Sequence, residues 1–237
     1  MACSAAVRVP ANASEAAHQA IDLVIARLDC TALAVEKGLS LLLDDEVERA
    51  NRFLVEKERN RFIVARATLR RLLAERLGVS PRAVRLARGT HGKPALAWPL
   101  SESGLHFNVS HSQNLAAYAF SHGREIGIDV EAVRPMPDAE DVARRFFSRN
   151  ERTAFFSLDP VDRCLAFFHC WTRKEAFIKA IGDGLSHPLS AFDVTLKPGE
   201  APRLLRVGDR PGERSGWSLG EFDPGAGFVG AFVVRES

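Results

Sequence analysis

Between residues 105 and 131 the chain carries three apolar runs joined by connections of only a few residues. Leu105-His106-Phe107-Asn108-Val109-Ser110 alternates apolar and polar positions, the period of a strand that ends near Ser110. Leu115–Phe120 reads as a second strand, Ser121-His122-Gly123 as a turn, and Ile126-Gly127-Ile128-Asp129-Val130-Glu131 as a third strand. Connections this short leave no room for a crossover helix, so the strands include hairpins. A fold that contains them must place long helices on either side in sequence. Ile63, Ala67, Leu69, Leu72, Leu73 and Leu77 recur at helical spacing until Gly78, after a shorter helix that Asp44 or Asp45 could cap. Val161 to Ile181 is the longest helical pattern of the second half, and Gly182 ends it; Asp138–Phe147 and Asn150–Phe156 are two shorter ones.

Ile21–Leu28 and Val84-Arg85-Leu86-Ala87 add short strands before the hairpins, and Phe192–Leu196 and Phe228–Val234 close the chain. The order of helix, strands, helix, strands implies an α+β protein of two similar α/β halves that meet near residues 122–125. The halves are residues 21–123 and 124–237, behind a leader, residues 1–20, expected to be flexible. A length of 237 residues suits one large domain or two small ones. With 46% hydrophobic and 26% charged residues, disordered, collagenous and low-complexity architectures are excluded. No run approaches the roughly 18 apolar residues of a membrane span. The Ala- and Ser-rich start lacks the plan of a secretory signal. Cys3, Cys30, Cys164 and Cys170 show neither a CxxC pair nor metal-ligand spacing, so reduced thiols in the cytoplasm are expected.

Net charge is only +2, which argues against a dedicated nucleic-acid binder, but the charge is uneven. From Arg49 to Arg88, 11 Arg and 1 Lys stand against 3 Glu, a local +9. Such a block suits either an anionic ligand or a solvated helical face. Arg66 and Arg70, one turn apart and near Arg59 and Arg61, could converge on phosphate oxygens, which guanidinium groups match with paired donors.

Other residues suggest chemistry. Asp129 and Glu131, two apart on a strand, face the same side and repel unless a cation or a proton lies between them; the alternative is a solvated edge pair. Oxygen ligands of this kind favour Mg²⁺ or Ca²⁺. Glu175 and Lys179, one helical turn apart, form either a surface ion pair or a third metal oxygen, or base, beside a phosphate-binding amine. Ser110-His111-Ser112, placed after a strand, reads as a phosphate clamp, a polar turn or a nucleophile beside a base, although no GxSxG surrounds it. Gly92-Lys93-Pro94 presents a lysine on a rigid loop.

Taken in order, Gly92-Lys93-Pro94, Phe107-Asn108-Val109-Ser110-His111-Ser112, Gly127-Ile128-Asp129-Val130-Glu131, Arg145-Phe146-Phe147-Ser148, Trp171–Lys179 and Gly184-Leu185-Ser186 resemble the 4′-phosphopantetheinyl transferases of the Sfp type from about Ile21 to Val194. The resemblance implies a pseudo-dimer of two similar α/β halves, with coenzyme A and Mg²⁺ in the cleft between them. It implies transfer of the phosphopantetheine arm of coenzyme A to a serine of an apo acyl or peptidyl carrier protein, with release of adenosine 3′,5′-bisphosphate. It implies a cytoplasmic enzyme, expected to be a monomer, serving fatty-acid, polyketide or nonribosomal-peptide synthesis. By the same resemblance Asp129, Glu131 and Glu175 hold the metal, Lys179 contacts the pyrophosphate and Glu175 helps deprotonate the incoming serine. Lys93, Ser110 and His111 hold phosphates of coenzyme A, and Arg49 and Arg61 lie near the nucleotide. A gapless match places Glu46 where a family member carries another lysine. For the carrier protein, Arg144, Arg145 and Arg149, with Val142 and Phe146 as an apolar patch, are the expected docking side chains. Neither nucleic acid nor membrane is an expected partner.

Overall fold

A computed structural model describes residues 6–11, 21–89, 92–182, 187–207 and 216–236. The motif Gly184-Leu185-Ser186 and residues 12–20 of the expected leader lie outside the described residues. The chain is α+β. One antiparallel sheet runs in the order β1 (Val7–Val9), β2 (Ile21–Arg27), β6 (Leu115–His122), β5 (Leu105–Ser112). A second runs β10 (Trp217–Phe222), β11 (Phe228–Arg235), β7 (Ile126–Ala132). Two short hairpins, β3 (Leu86–Arg88) with β4 (Pro94–Leu96) and β8 (Phe192–Val194) with β9 (Leu204–Val207), complete the strands.

Among the described residues the helices are α1 (Ala32–Leu39), α2 (Asp44–Asn51), α3 (Glu56–Leu77), α4 (Ala139–Phe146), α5 (Arg149–Phe156) and α6 (Pro160–Ile181). The two long helices stop where glycine permits a left-handed residue, at Gly78 (φ 66°) and Gly182 (φ 82°).

The alternation of β6 explains the layering. Its even positions, Ala116, Tyr118 and Phe120, pack with Ile63, Ala67 and Leu73 of α3. Its odd positions, Leu115, Ala117 and Ala119, pack with Ile126, Ile128 and Val130 of β7 and with Phe232 and Val234 of β11. Ala231 and Val233 face the opposite way, into the cluster of Ala176, Phe177 and Ala180 of α6. Each sheet therefore has a long helix on one face and the other sheet on its other face. Tyr118 fastens α3 down by donating its hydroxyl to the Ala65 carbonyl at 2.9 Å.

Several expectations need correction. Val7–Val9, inside the expected leader, form a strand paired with Leu23–Ile25. Ser110, His111 and Ser112 are the last three residues of β5 and do not follow it. The residue preceding α2 is Leu43, not an aspartate, and the Glu46 carboxylate accepts its N–H at 3.0 Å. Cys30 is disulfide-bonded, while Cys164 and Cys170 are free, so the thiols are not all reduced.

Candidate active site

Strands β5 and β7 are the facing edges of the two sheets, and backbone hydrogen bonds do not join them. Side chains do. Asn108, Ser110 and Ser112 lie two apart on β5 and share one face. Asn108 Oδ1 accepts the Ile128 N–H at 2.9 Å, Ser110 Oγ the Val130 N–H at 3.3 Å and Ser112 Oγ the Ala132 N–H at 3.1 Å. The two serine hydroxyls then donate to the carboxylates, Ser110 to Asp129 Oδ1 and Ser112 to Glu131 Oε2, each at 2.7 Å.

Helix α6 lies over this seam because Gly127 lets it approach. A Cβ at that position would fall 2.1 Å from the Ala176 carbonyl oxygen. The helix is buried almost all round its second half, and Trp171, Glu175 and Lys179, one turn apart, are its partly exposed stripe. Lys179 Nζ donates to Asp129 Oδ1 at 2.6 Å and to Ser110 Oγ at 3.0 Å, so its ion pair is with Asp129 and not with Glu175.

Burial pushes the Glu175 carboxyl up from its ordinary value, Lys179 pulls it down, and the nearby Asp129 and Glu131 push it up again. Glu131 is also raised by burial, against the lowering effect of Ser112. Three carboxylates thus share one partly dry surface with a single lysine.

The opposite face of β5 carries His111. Desolvation first, then the positive charges of Lys179 and Arg49, lower its pKa. Arg49 also stands over the Phe62 ring at 5.1 Å. Arg61 is held by Asp29 at 2.7 Å and by Glu58 at 2.9 Å. Lys93 does not reach the carboxylates. Its Nζ donates to the Ile126 and Ala180 carbonyls, both at 3.2 Å, and burial lowers its pKa to about 8.

The convergence of Arg66 and Arg70 on a ligand is not what the fold builds. Arg70, 1% exposed, donates to Glu46 at 2.6 Å and to the Pro81 and Val84 carbonyls. Arg66 Nε stands 3.6 Å from the same Glu46. Glu46 is therefore the internal counter-charge of the helix.

A groove of about 980 Å³ lies between α6 and β10–β11, lined among others by His169, Arg173, Trp217 and Glu221; none of the expected site residues lines it. Among the described residues no three His, Cys, Asp or Glu side chains stand together as a ready-made ligand set. The site nevertheless fits a hard cation. Asp129 Oδ2 is buried and has no hydrogen-bond partner, while its other oxygen takes two donors. A buried anionic oxygen left unpaired is costly unless something positive meets it. The sequence motifs do not single out Asn108 or Ser112 for a role at the site. The signal that finds them is the period shared by 108/110/112 and 128/130/132.

The model of the 4′-phosphopantetheinyl transferase superfamily matches residues 125–233, and that of the 4′-phosphopantetheinyl transferase N-terminal region matches residues 31–122. The 4′-phosphopantetheinyl transferase HetI of Nostoc sp. is 42% identical over 193 residues, 81% of this chain and 78% of that protein. The chain belongs to the 4′-phosphopantetheinyl transferase family. It is 31% identical to the 4′-phosphopantetheinyl transferase Sfp of Bacillus subtilis over 68% of its own length and 69% of that protein. It is also 30% identical to the human L-aminoadipate-semialdehyde dehydrogenase-phosphopantetheinyl transferase, over 65% of its own length and 52% of the human chain. The chain is accordingly an enzyme, a transferase of this class. No helix among the described residues is long and apolar enough to cross a membrane.

Proposed function

We propose that this phosphopantetheinyl transferase moves the phosphopantetheine arm of coenzyme A to a serine of an apo acyl or peptidyl carrier protein, as a monomer in the cytoplasm, with adenosine 3′,5′-bisphosphate as leaving group. We take 21–123 and 124–237 as its two halves. The carrying observation is the buried, unpartnered Asp129 Oδ2 beside two further carboxylates and one lysine. Asp129, Glu131 and Glu175 would hold Mg²⁺, which supplies neutralisation of the pyrophosphate charge.

The chain's own groups do the rest. Glu175 makes no hydrogen bond or ion pair among the described residues and is free to accept the proton of the carrier serine, directly or through water. The serine oxygen forms the new bond to the phosphorus that carries the pantetheine arm. The bond from that phosphorus to the bridging oxygen breaks, and the electron pair leaves with the nucleotide. Lys179 places a positive charge where the leaving phosphate gains negative charge. Arg49 and His111 face the same opening from the other side of β5 and suit the nucleotide phosphates, with Arg61 beside them. Ser110 can serve a phosphate only by redirecting the proton it gives Asp129, and Lys93 only by leaving two carbonyls.

Arg145 and Arg149, exposed on α4 and α5, with Phe146 packed edge-on to Trp171 at 6.2 Å, offer a basic and apolar approach to Glu175 for an acidic carrier. A nucleic-acid surface would be a poor use of the basic block, because Arg61, Arg70 and Arg76 are paired to Asp29, Glu46 and Asp22.

Intact-protein mass spectrometry of an apo carrier with coenzyme A and Mg²⁺ tests the proposal. A phosphopantetheine mass gain that requires the enzyme and disappears with EDTA supports it. No gain on acyl and peptidyl carriers alike, with no coenzyme A binding, refutes it.

A further inference from the structure

The seam between β5 and β7 repeats one unit twice. Ser110 takes the N–H of residue 130 and gives its proton to the carboxylate of 129; Ser112 takes the N–H of residue 132 and gives its proton to the carboxylate of 131. Asn108 makes only the first half, because residue 127 is glycine. The geometry fixes where each hydroxyl proton points. With the backbone N–H on one side of Oγ, the acceptor that Ser112 meets among the described residues is Glu131 Oε2. Glu131 is a quarter exposed, and its ion-pair partner among the described residues, Arg134, stands 3.8 Å away and is half exposed, a weak restraint.

We infer that Ser112 is a positioning residue: its hydroxyl holds Glu131 so that the second carboxylate oxygen faces the opening shared with Asp129 and Glu175, ready for a divalent cation. This rests on the metal role given to Glu131 above. A hydroxyl whose own orientation is set by a backbone N–H restricts a carboxylate more than a mobile surface arginine does, and partners of metal-binding carboxylates typically change affinity 10–100-fold when removed.

Asn108 supplies the internal control, since it caps β7 in the same way without touching a carboxylate. The test is direct Mn²⁺ binding by electron paramagnetic resonance on the full chain without coenzyme A, together with thermal melting. Ser112→Ala is expected to weaken Mn²⁺ binding about 10-fold or more, and Ser112→Thr, which keeps the hydroxyl, to restore most of it. Asn108→Ala is expected to lower the melting temperature while leaving Mn²⁺ affinity unchanged. The inference is overturned if Ser112→Ala binds Mn²⁺ as the native chain does, or if Asn108→Ala loses affinity in step with it, which would make the seam a strut only. A native chain that binds no Mn²⁺ overturns the metal reading of Glu131 as well, and the positioning role with it.

Discussion

Gly127→Ala adds a single methyl group between β7 and α6. The new Cβ would lie 2.1 Å from the Ala176 carbonyl oxygen, 2.3 Å from the Ala180 nitrogen and 2.9 Å from the Ala180 Cα. All three obstacles are backbone, so no side chain can swing aside. Ordinary contact begins near 3.4 Å, and reaching it requires α6 to withdraw by about 1 Å. Overpacking of this kind costs about 1–3 kcal/mol, and an all-backbone clash belongs at the upper end. For a chain of this size about 3 kcal/mol lowers Tm by roughly 6–12 °C. The same withdrawal carries Glu175 and Lys179 away from Asp129, and a misplacement of about 1 Å can cost on the order of 100-fold in rate. Gly230 is the comparison: a Cβ there meets only the Phe222 ring, at 2.5 Å, and a ring can turn. Carrier-modification kinetics and thermal melting of both variants decide the matter. If Gly127→Ala melts within about 2 °C of the native protein and turns over at a similar rate, the close approach of α6 is not what sets the site.

Three further outcomes follow from the structure. Glu46→Ala strands the buried Arg70 and should destabilise the chain by about 3–5 kcal/mol in urea unfolding, with partial recovery in the double variant Glu46→Ala, Arg70→Met. Lys93 has a folded pKa of about 8 against an ordinary 10.5, so both states are protonated below pH 8 and the unfolded chain binds the extra proton between those values. Stability from this group therefore rises with pH across that window, and the advantage of Lys93→Met over the native chain, measured by urea unfolding, should shrink from pH 7.5 to pH 10. Arg144 is already paired to Glu140 and Asp141, whereas Arg145 stands exposed over the Phe146 ring. Arg145→Glu should accordingly raise the KM for the carrier protein more than Arg144→Glu does, with a weakened salt dependence and little change in kcat.

The parts of the fold legible in the sequence are those where one physical signal dominates. Period-2 alternation marks β5 and β7, and a glycine in the left-handed region marks the end of both long helices. The strands that escape it are short or interrupted: β1 is only three residues in an Ala-rich stretch, and Gly220 and Glu221 break the alternation of β10. Ser110-His111-Ser112 looks like a turn because its residues are polar, yet two of the three are buried and serve as rungs between sheets. Spacing places Asp129 with Glu131, and Glu175 with Lys179, on common faces, but the ion pair of Lys179 with Asp129, 50 residues away, is not written in it. Nor is the fate of the arginines, since Asp22, Asp29 and Glu46 meet Arg76, Arg61 and Arg70 across 24 to 54 residues of chain. Local charge counts cannot see such partners.

The seam also covers a strand edge. An open edge is a template on which another chain can pair, and proteins guard it with charge, proline or cover. Here the free edge of β7 is guarded by β5, but the guard consists of three side chains rather than a backbone ladder. A backbone ladder survives most substitutions, whereas this joint is written in residue identity. Substitutions that empty it expose the rim of β7, whose neighbour β11 is apolar over most of its length. Self-association, and not merely a slower enzyme, is then the failure to expect.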